Sequence, residues 1–252
     1  VSVTCLYEDA ALLAIDKPAG ALVVRGREGE REPSLLDELS AQRREKLFAV
    51  HRLDRGTSGV LLLARTAEAH RRLCQSFERG EIEKRYLALV RGTPPERFAV
   101  DVALIPARRG KSRPARVGEE GKSSLTRFER VEQFPGFAFL SAEPATGRPH
   151  QIRVHLKYRG FPLALDPLYG SAEPLTPLSL GLGQGTEVML ARTPLHAQRL
   201  RLAHPSTRQG LEIEAPMPED LARVLAALRR AAAEKAGGIE HRGSCRALLR
   251  TA

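Results

Sequence analysis

The chain has 252 residues, of which 42% are hydrophobic, with no Trp and a formal charge of +10. A chain of this size buries a full core without disulfide or metal staples, and no apolar run approaches the ~20 residues that span a bilayer. The positive balance favours a polyanionic partner such as nucleic acid, while eight Phe and four Tyr are too few for a binder built on aromatic stacking platforms.

The first elements read as two short strands, Val3–Tyr7 and Leu12–Ile15, separated by Glu8-Asp9-Ala10, a pattern of strands and not of a signal peptide. Lys17-Pro18-Ala19-Gly20 makes a turn, since Pro presets φ and Gly supplies the permissive position. Arg25–Pro33 is charged and Gly-rich, a surface loop. Ser34–Gln42 reads as a helix with Ser34 as its N-cap. Two short apolar runs follow, Leu47–Val50 and Val60–Ala64, with the length of buried strands. Between them lies His51-Arg52-Leu53-Asp54-Arg55-Gly56-Thr57-Ser58-Gly59, which sets one carboxylate between two guanidinium groups. A loop anchored by two core strands can present one aspartate in a fixed place, as a catalytic carboxylate requires.

Thr66–Arg79 is an amphipathic helix, capped by Thr66 and followed by Gly80 where a C′ glycine belongs. Glu83–Gly92 alternates as a strand. The stretch 106–121 concentrates Arg108, Arg109, Lys111 and Arg113 on Gly- and Pro-rich backbone, suited to contacts with the phosphates of a nucleic acid. Ser123–Phe134 and Phe137–Glu143 read as strands joined by a Pro135-Gly136 turn. In Ala145–Leu156, Ile152 and Leu156 fall at i, i+4 and give a helix its buried face, and Pro149 suits the first turn of that helix. Pro174–Gly185 is a loop rich in Pro, Leu and Gly. Pro218–Lys235 is a terminal helix that Gly237-Gly238 ends, leaving a basic tail. Cys5, Cys74 and Cys245 form no CxxC pair, and His150 and His155 are five apart without an H-E-x-x-H. Neither a disulfide framework nor a metal site is expected, and a reducing cytoplasm is the expected compartment.

The nonapeptide 51–59 resembles the H-R-L-D-x-x-T-S-G loop of the RluA family of RNA pseudouridine synthases, with all seven defined positions matched. Two further stretches agree in order. Lys84 and Tyr86 fit the family's K-x-Y, and Thr146–Leu156 is similar to T-G-R-T-H-Q-I-R-x-H-L with Pro149 in place of Thr. Phe161–Gly170 is similar to a segment ending G-D-x-x-Y-G, with Leu165 in place of the first Gly. Because Leu6–Gly20 resembles the opening of the catalytic domain, no S4-type RNA-binding domain is expected ahead of it.

The resemblance implies an α+β fold with a mixed, largely antiparallel central sheet, flanking helices and the site in a central cleft. It implies one catalytic domain over 1–236 with 237–252 as a basic tail. It implies isomerisation of specific uridines in ribosomal or transfer RNA, without a cofactor because the atom inventory of the substrate is unchanged. In that reading Asp54 is the nucleophile, Arg153 pairs with it, and Tyr86 lies against the base as the candidate to deprotonate C5. Arg52 fills the space left by the extruded base, and His51, Lys84 and Arg148 join it in contacting RNA. A monomer is expected. The alternative from another class is a non-catalytic RNA-binding or chaperone protein on the same scaffold, for which a buried nucleophile has no use.

Overall fold

The computed structural model describes residues 3–25, 33–106, 111–116 and 119–244, with side chains to residue 234. In chain order the strands and helices are β1 (Thr4–Glu8), β2 (Leu12–Lys17), α1 (Leu35–Arg43), β3 (Phe48–Ala49), β4 (Ser58–Ala64) and α2 (Ala67–Glu78). Then come β5 (Glu83–Arg91), β6 (Arg97–Asp101), β7 (Leu104–Ile105), β8 (Arg113–Pro114), β9 (Leu125–Phe134) and β10 (Phe137–Pro144). The last are α3 (Gln151–Tyr158), β11 (Leu195–Ala203), β12 (Gly210–Glu214) and α4 (Glu219–Ser244).

Ten of these strands form one sheet. Its main path runs β1-β2-β4-β11-β5-β10-β9-β6, with β12 on β11 and β3 on β4, while β7 and β8 pair separately. Every pairing in it is antiparallel except β4 with β11, which makes the sheet mixed and largely antiparallel as expected. The period-2 alternation of strands explains the packing. Leu62 and Ala64 of β4 pack on the side of α2 with Leu73, whereas Leu61 and Leu63 pack on the side of α1 with Leu35 and Leu39. On β5, Leu87 and Leu89 face α4 through Leu221 and Leu225, and Ala88 and Val90 face α3 through Ile152 and Leu156. Both faces are covered there, which is why β4 reads as a continuous apolar run; all seven of its residues are buried. Each fully buried aliphatic side chain of this kind contributes roughly 1.5–3 kcal/mol.

The helix starts follow their capping signals. Ser34 Oγ accepts from the Asp37 amide and Thr66 Oγ1 from the Ala69 amide, each satisfying an otherwise unpaired first-turn N–H. Gly80, at φ 71°, takes the left-handed position beyond α2. Two expectations fail. α3 begins at Gln151, so Pro149 sits in the preceding turn and not in the first turn of the helix. α4 runs through Gly237-Gly238 to Ser244. Gly in a helix interior costs about 1 kcal/mol relative to Ala but keeps its N–H, so it weakens a helix without the break that Pro makes. Among the described residues no helix is long and apolar enough to cross a membrane.

Candidate active site

Asp54 stands in the loop that leads into β4, near the middle of the sheet. Local hydrogen bonds and a glycine contact shape this loop. The Thr57 amide donates to the Asp54 carbonyl at 3.0 Å, closing a tight turn. Gly59, at φ 112°, lies against the Ala197 carbonyl of β11, so a side chain there would overlap backbone. The turn at the end of β2 is clamped onto the same loop. Gly20 N donates to the Arg55 carbonyl at 2.7 Å, and Arg55 Nε returns a hydrogen bond to the Gly20 carbonyl at 2.9 Å. Lys17, fully buried, donates from Nζ to the carbonyls of Pro18, Ala21 and Arg55 at 2.9, 2.8 and 3.3 Å. Burial pushes its ammonium down to about 8 against the opposing pull of the Asp54 charge. The sequence marks Lys17-Pro18-Ala19-Gly20 as a turn but carries no sign that its lysine reaches across to the Asp54 loop.

The partner of Asp54 comes from α3. Arg153 Nη1 donates to Asp54 Oδ2 at 2.8 Å, across 99 residues of sequence. The same guanidinium is held from behind: its Nε and Nη2 donate to Asp166 Oδ2 and Oδ1 at 2.8 and 2.7 Å. Asp166 is 1% exposed and also accepts from the amides of Leu168 and Tyr169. Burial pushes its carboxyl up, but the hydrogen bonds and charge of Arg153 and these two amides outweigh burial and hold it below the ordinary value. Leu165, just before it, is buried in the core and has no left-handed backbone, so the usual Gly is not required there.

His150 completes the surround. It occupies the left-handed region at φ 58°, one residue before α3. Its Nδ1 lies 2.9 Å from the Tyr169 hydroxyl and its Nε2 lies 3.7 Å from Asp54 Oδ1. Burial, its largest influence, lowers the pKa of the ring. The turn before α3 is built on buried Gln151, whose Oε1 accepts from the Thr146 hydroxyl and the Arg148 amide and whose Nε2 donates to Leu125 O and Thr126 Oγ1.

Of the residues singled out from the sequence, Arg52, Asp54, Lys84, Tyr86, Arg148 and Arg153 line one cleft. Tyr86 has no hydrogen-bond partner for its hydroxyl among the described residues. Burial pushes that hydroxyl well above its ordinary value and the charge of Asp54 adds to the effect, so it remains a protonated phenol at neutral pH. Arg148 donates from Nε to the Ser123 carbonyl, which leaves its outer N–H groups for the cleft.

His51 does not fit an RNA contact. Its ring stacks on Phe77 at 4.9 Å and its Nε2 accepts from the Leu62 amide at 2.9 Å. Burial, with a smaller push from Lys84, lowers its pKa to about 3, so it is a neutral packing group that pins the loop to β4. In the basic loop, Arg108 and Arg109 lie outside the described residues. Lys111 sits over the Tyr169 ring at 5.8 Å, beside the cleft, while Arg113 makes two hydrogen bonds to Glu119 at 2.6 and 2.8 Å. Asp166, Tyr169 and Lys17 were missed as site residues. For the first two the only sequence signal was their place in one of the quoted motifs.

Residues 11–158 match the family model described as RNA pseudouridylate synthase. The "Ribosomal large subunit pseudouridine synthase C" of Escherichia coli (strain K12) is 41% identical over 233 residues, covering 90% of this chain and 70% of the relative. The protein of the same name from Pasteurella multocida is 39% identical over 228 residues, covering 89% and 67%. Among solved structures, "Human RNA Pseudouridylate Synthase Domain Containing 4" superimposes with a TM-score of 0.71 at 26% identity, covering 89% of this chain and 92% of that one. "Human RNA Pseudouridylate Synthase Domain Containing 1", at 23% identity and a TM-score of 0.68, shares the fold.

Proposed function

Because this chain belongs to the RNA pseudouridylate synthase family, whose members isomerise uridine in RNA to pseudouridine, we propose that its substrate is ribosomal RNA and that Asp54 is its nucleophile. The names of its relatives in Escherichia coli and Pasteurella multocida support the choice of large-subunit RNA. The observation that carries the nucleophile is the Arg153–Asp54 hydrogen bond at 2.8 Å in a cleft that also holds Tyr86, Arg52 and Lys84.

Each group then has a part. Uridine leaves its stack at a cost of a few kcal/mol, and Arg52, exposed at the rim, supports the vacated position. Asp54 attacks the extruded nucleotide, at C1′ or at C6. Arg153 neutralises and orients the carboxylate by a charge-assisted bond worth roughly 1.5–3 kcal/mol. The isomerisation breaks N1–C1′ and makes C5–C1′, so C5 loses one proton and N1 gains one. The exchange balances within the substrate and needs a single group that accepts and then donates. Tyr86 lies against the base, but its hydroxyl, held as a phenol, is a poor proton acceptor, so in place of Tyr86 we assign the C5 proton to the Asp54 carboxylate as its bond to substrate breaks. Arg148 and Lys111 reach phosphates around the cleft. A monomer is our reading of its working state, and a ribosomal RNA substrate supports a cytoplasmic enzyme.

The test is tritium release from C5-labelled uridine in unmodified 23S ribosomal RNA and tRNA transcripts, with wild type and Asp54→Asn. Release from the ribosomal transcript, lost in the variant while RNA affinity is kept, is expected. Release from tRNA alone would move the substrate. No release from any transcript, with tight binding by both proteins, would leave an RNA-binding protein.

A further inference from the structure

Lys84 is only 8% exposed, and among the described residues no carboxylate pairs with it and no acceptor takes its hydrogen bond. It lines two depressions at once, the cleft around Asp54 and a neighbouring groove of about 200 Å³. Its stem is buried while its ammonium opens onto these depressions, where a partly desolvated cation attracts an anion, and burial lowers its affinity for the proton. We propose that Lys84 and the groove beyond it form a phosphodiester subsite, gripping the backbone of the nucleotide next to the extruded uridine.

The groove supplies the rest of the grip. Arg85, Arg127 and Arg199 line it with Lys84. Arg127 has no partner among the described residues. Arg85 uses Nε on Ser141 Oγ at 2.9 Å and keeps its outer N–H groups, and Arg199 reaches Glu212 only at 3.7 Å. Two carboxylates also line the groove. Glu83 faces Arg201 at 3.7 Å, and Glu143 is the cross-strand register neighbour of Arg127. Four cations against two anions leave a net attraction for one phosphodiester.

The register shows how the groove runs. Lys84 and Arg85 are successive residues of β5, so their side chains leave opposite faces of the sheet, and Arg199 of β11 is the cross-strand neighbour of Arg85. The groove therefore passes over the start of β5, from the cleft face to the face behind it. An RNA strand entering there turns around the end of the sheet, which draws the target nucleotide out of its helix toward Asp54.

This inference rests on the reading of the cleft as the uridine site, and its test separates the two. Calorimetry with uridine 3′,5′-bisphosphate and with uridine uses wild type, Lys84→Met and Lys84→Arg. Roughly tenfold weaker binding of the bisphosphate by Lys84→Met, restored by Lys84→Arg, is expected, with a much smaller change in uridine binding. Equal bisphosphate affinity in wild type and Lys84→Met overturns the subsite. A second measurement follows the salt dependence of affinity for the 23S transcript, whose slope in log–log form is to fall by about 0.7 for each lost phosphate contact. Arg127→Ala, on an exposed side chain, is read the same way and serves if Lys84→Met does not fold; an unchanged slope overturns the groove. Loss of tritium release from every transcript, with bisphosphate binding still dependent on Lys84, removes the enzymatic reading and leaves the subsite standing.

Discussion

Arg153 and Asp166 form a buried bidentate pair, with bonds of 2.8 and 2.7 Å, that leaves Nη1 of the arginine free to reach Asp54. The guanidinium is thus fixed on two sides before it meets Asp54. A planar fork is suited to this, since lysine could serve one carboxylate but not hold a fixed angle between two.

Asp166→Asn is expected to lower kcat by about 10²-fold with little change in KM, because Arg153 loses its orientation and not the substrate its binding groups. Breaking a buried charge pair also costs roughly 3 kcal/mol of stability. Steady-state kinetics of tritium release beside urea unfolding check both. A drop in stability with unchanged kcat would assign Asp166 to packing alone.

The same carboxyl has a pH signature. Its pKa in the folded chain is held below the ordinary 3.8, so the unfolded chain binds the proton more readily. The stability it contributes is fully present above about pH 4 and is lost as pH falls through the depressed value. Melting midpoints of wild type and Asp166→Asn are expected to differ by a constant gap at neutral pH and to converge in acid.

Lys17→Met is expected to destabilise the fold by about 2–3 kcal/mol, since the carbonyls of Pro18, Ala21 and Arg55 lose a buried donor. It is also expected to lower kcat, because the clamp on the Asp54 loop goes with it. Linkage gives an independent reading. With the ammonium at about 8 when folded and 10.5 when unfolded, the unfolded chain holds more protons between those values. This group's contribution therefore makes wild type gain stability as pH rises through that window, and Lys17→Met lacks the gain.

His51→Phe keeps the stack on Phe77 but orphans the Leu62 amide. A loss of about 1–3 kcal/mol is expected, with RNA affinity at low salt equal to that of wild type. Weaker RNA binding at unchanged stability would return His51 to the RNA interface.

How much of this was legible in the sequence differs by level. Periodicity and capping residues placed most elements: the buried run 60–64, the Ser34 and Thr66 caps and the two strands around Gly136 are local properties, decided by side-chain alternation and first-turn hydrogen bonds. Asp54, Tyr86 and Arg153 were named by the resemblance of three short motifs to those of the RluA family. Their assembly was not local. Asp54 and Arg153 are 99 residues apart, and Lys17 reaches Arg55 across 38; only the order of strands in the sheet brings them together. The same holds for His51, which reads as a charged-site residue beside Arg52 until the fold turns its ring onto Phe77. The sequence by itself determined the elements and the chemical groups, through contacts within a few residues. The tertiary structure alone decided which groups share a cleft, which carboxylate holds Arg153 in place, and which lysine is left buried without a partner.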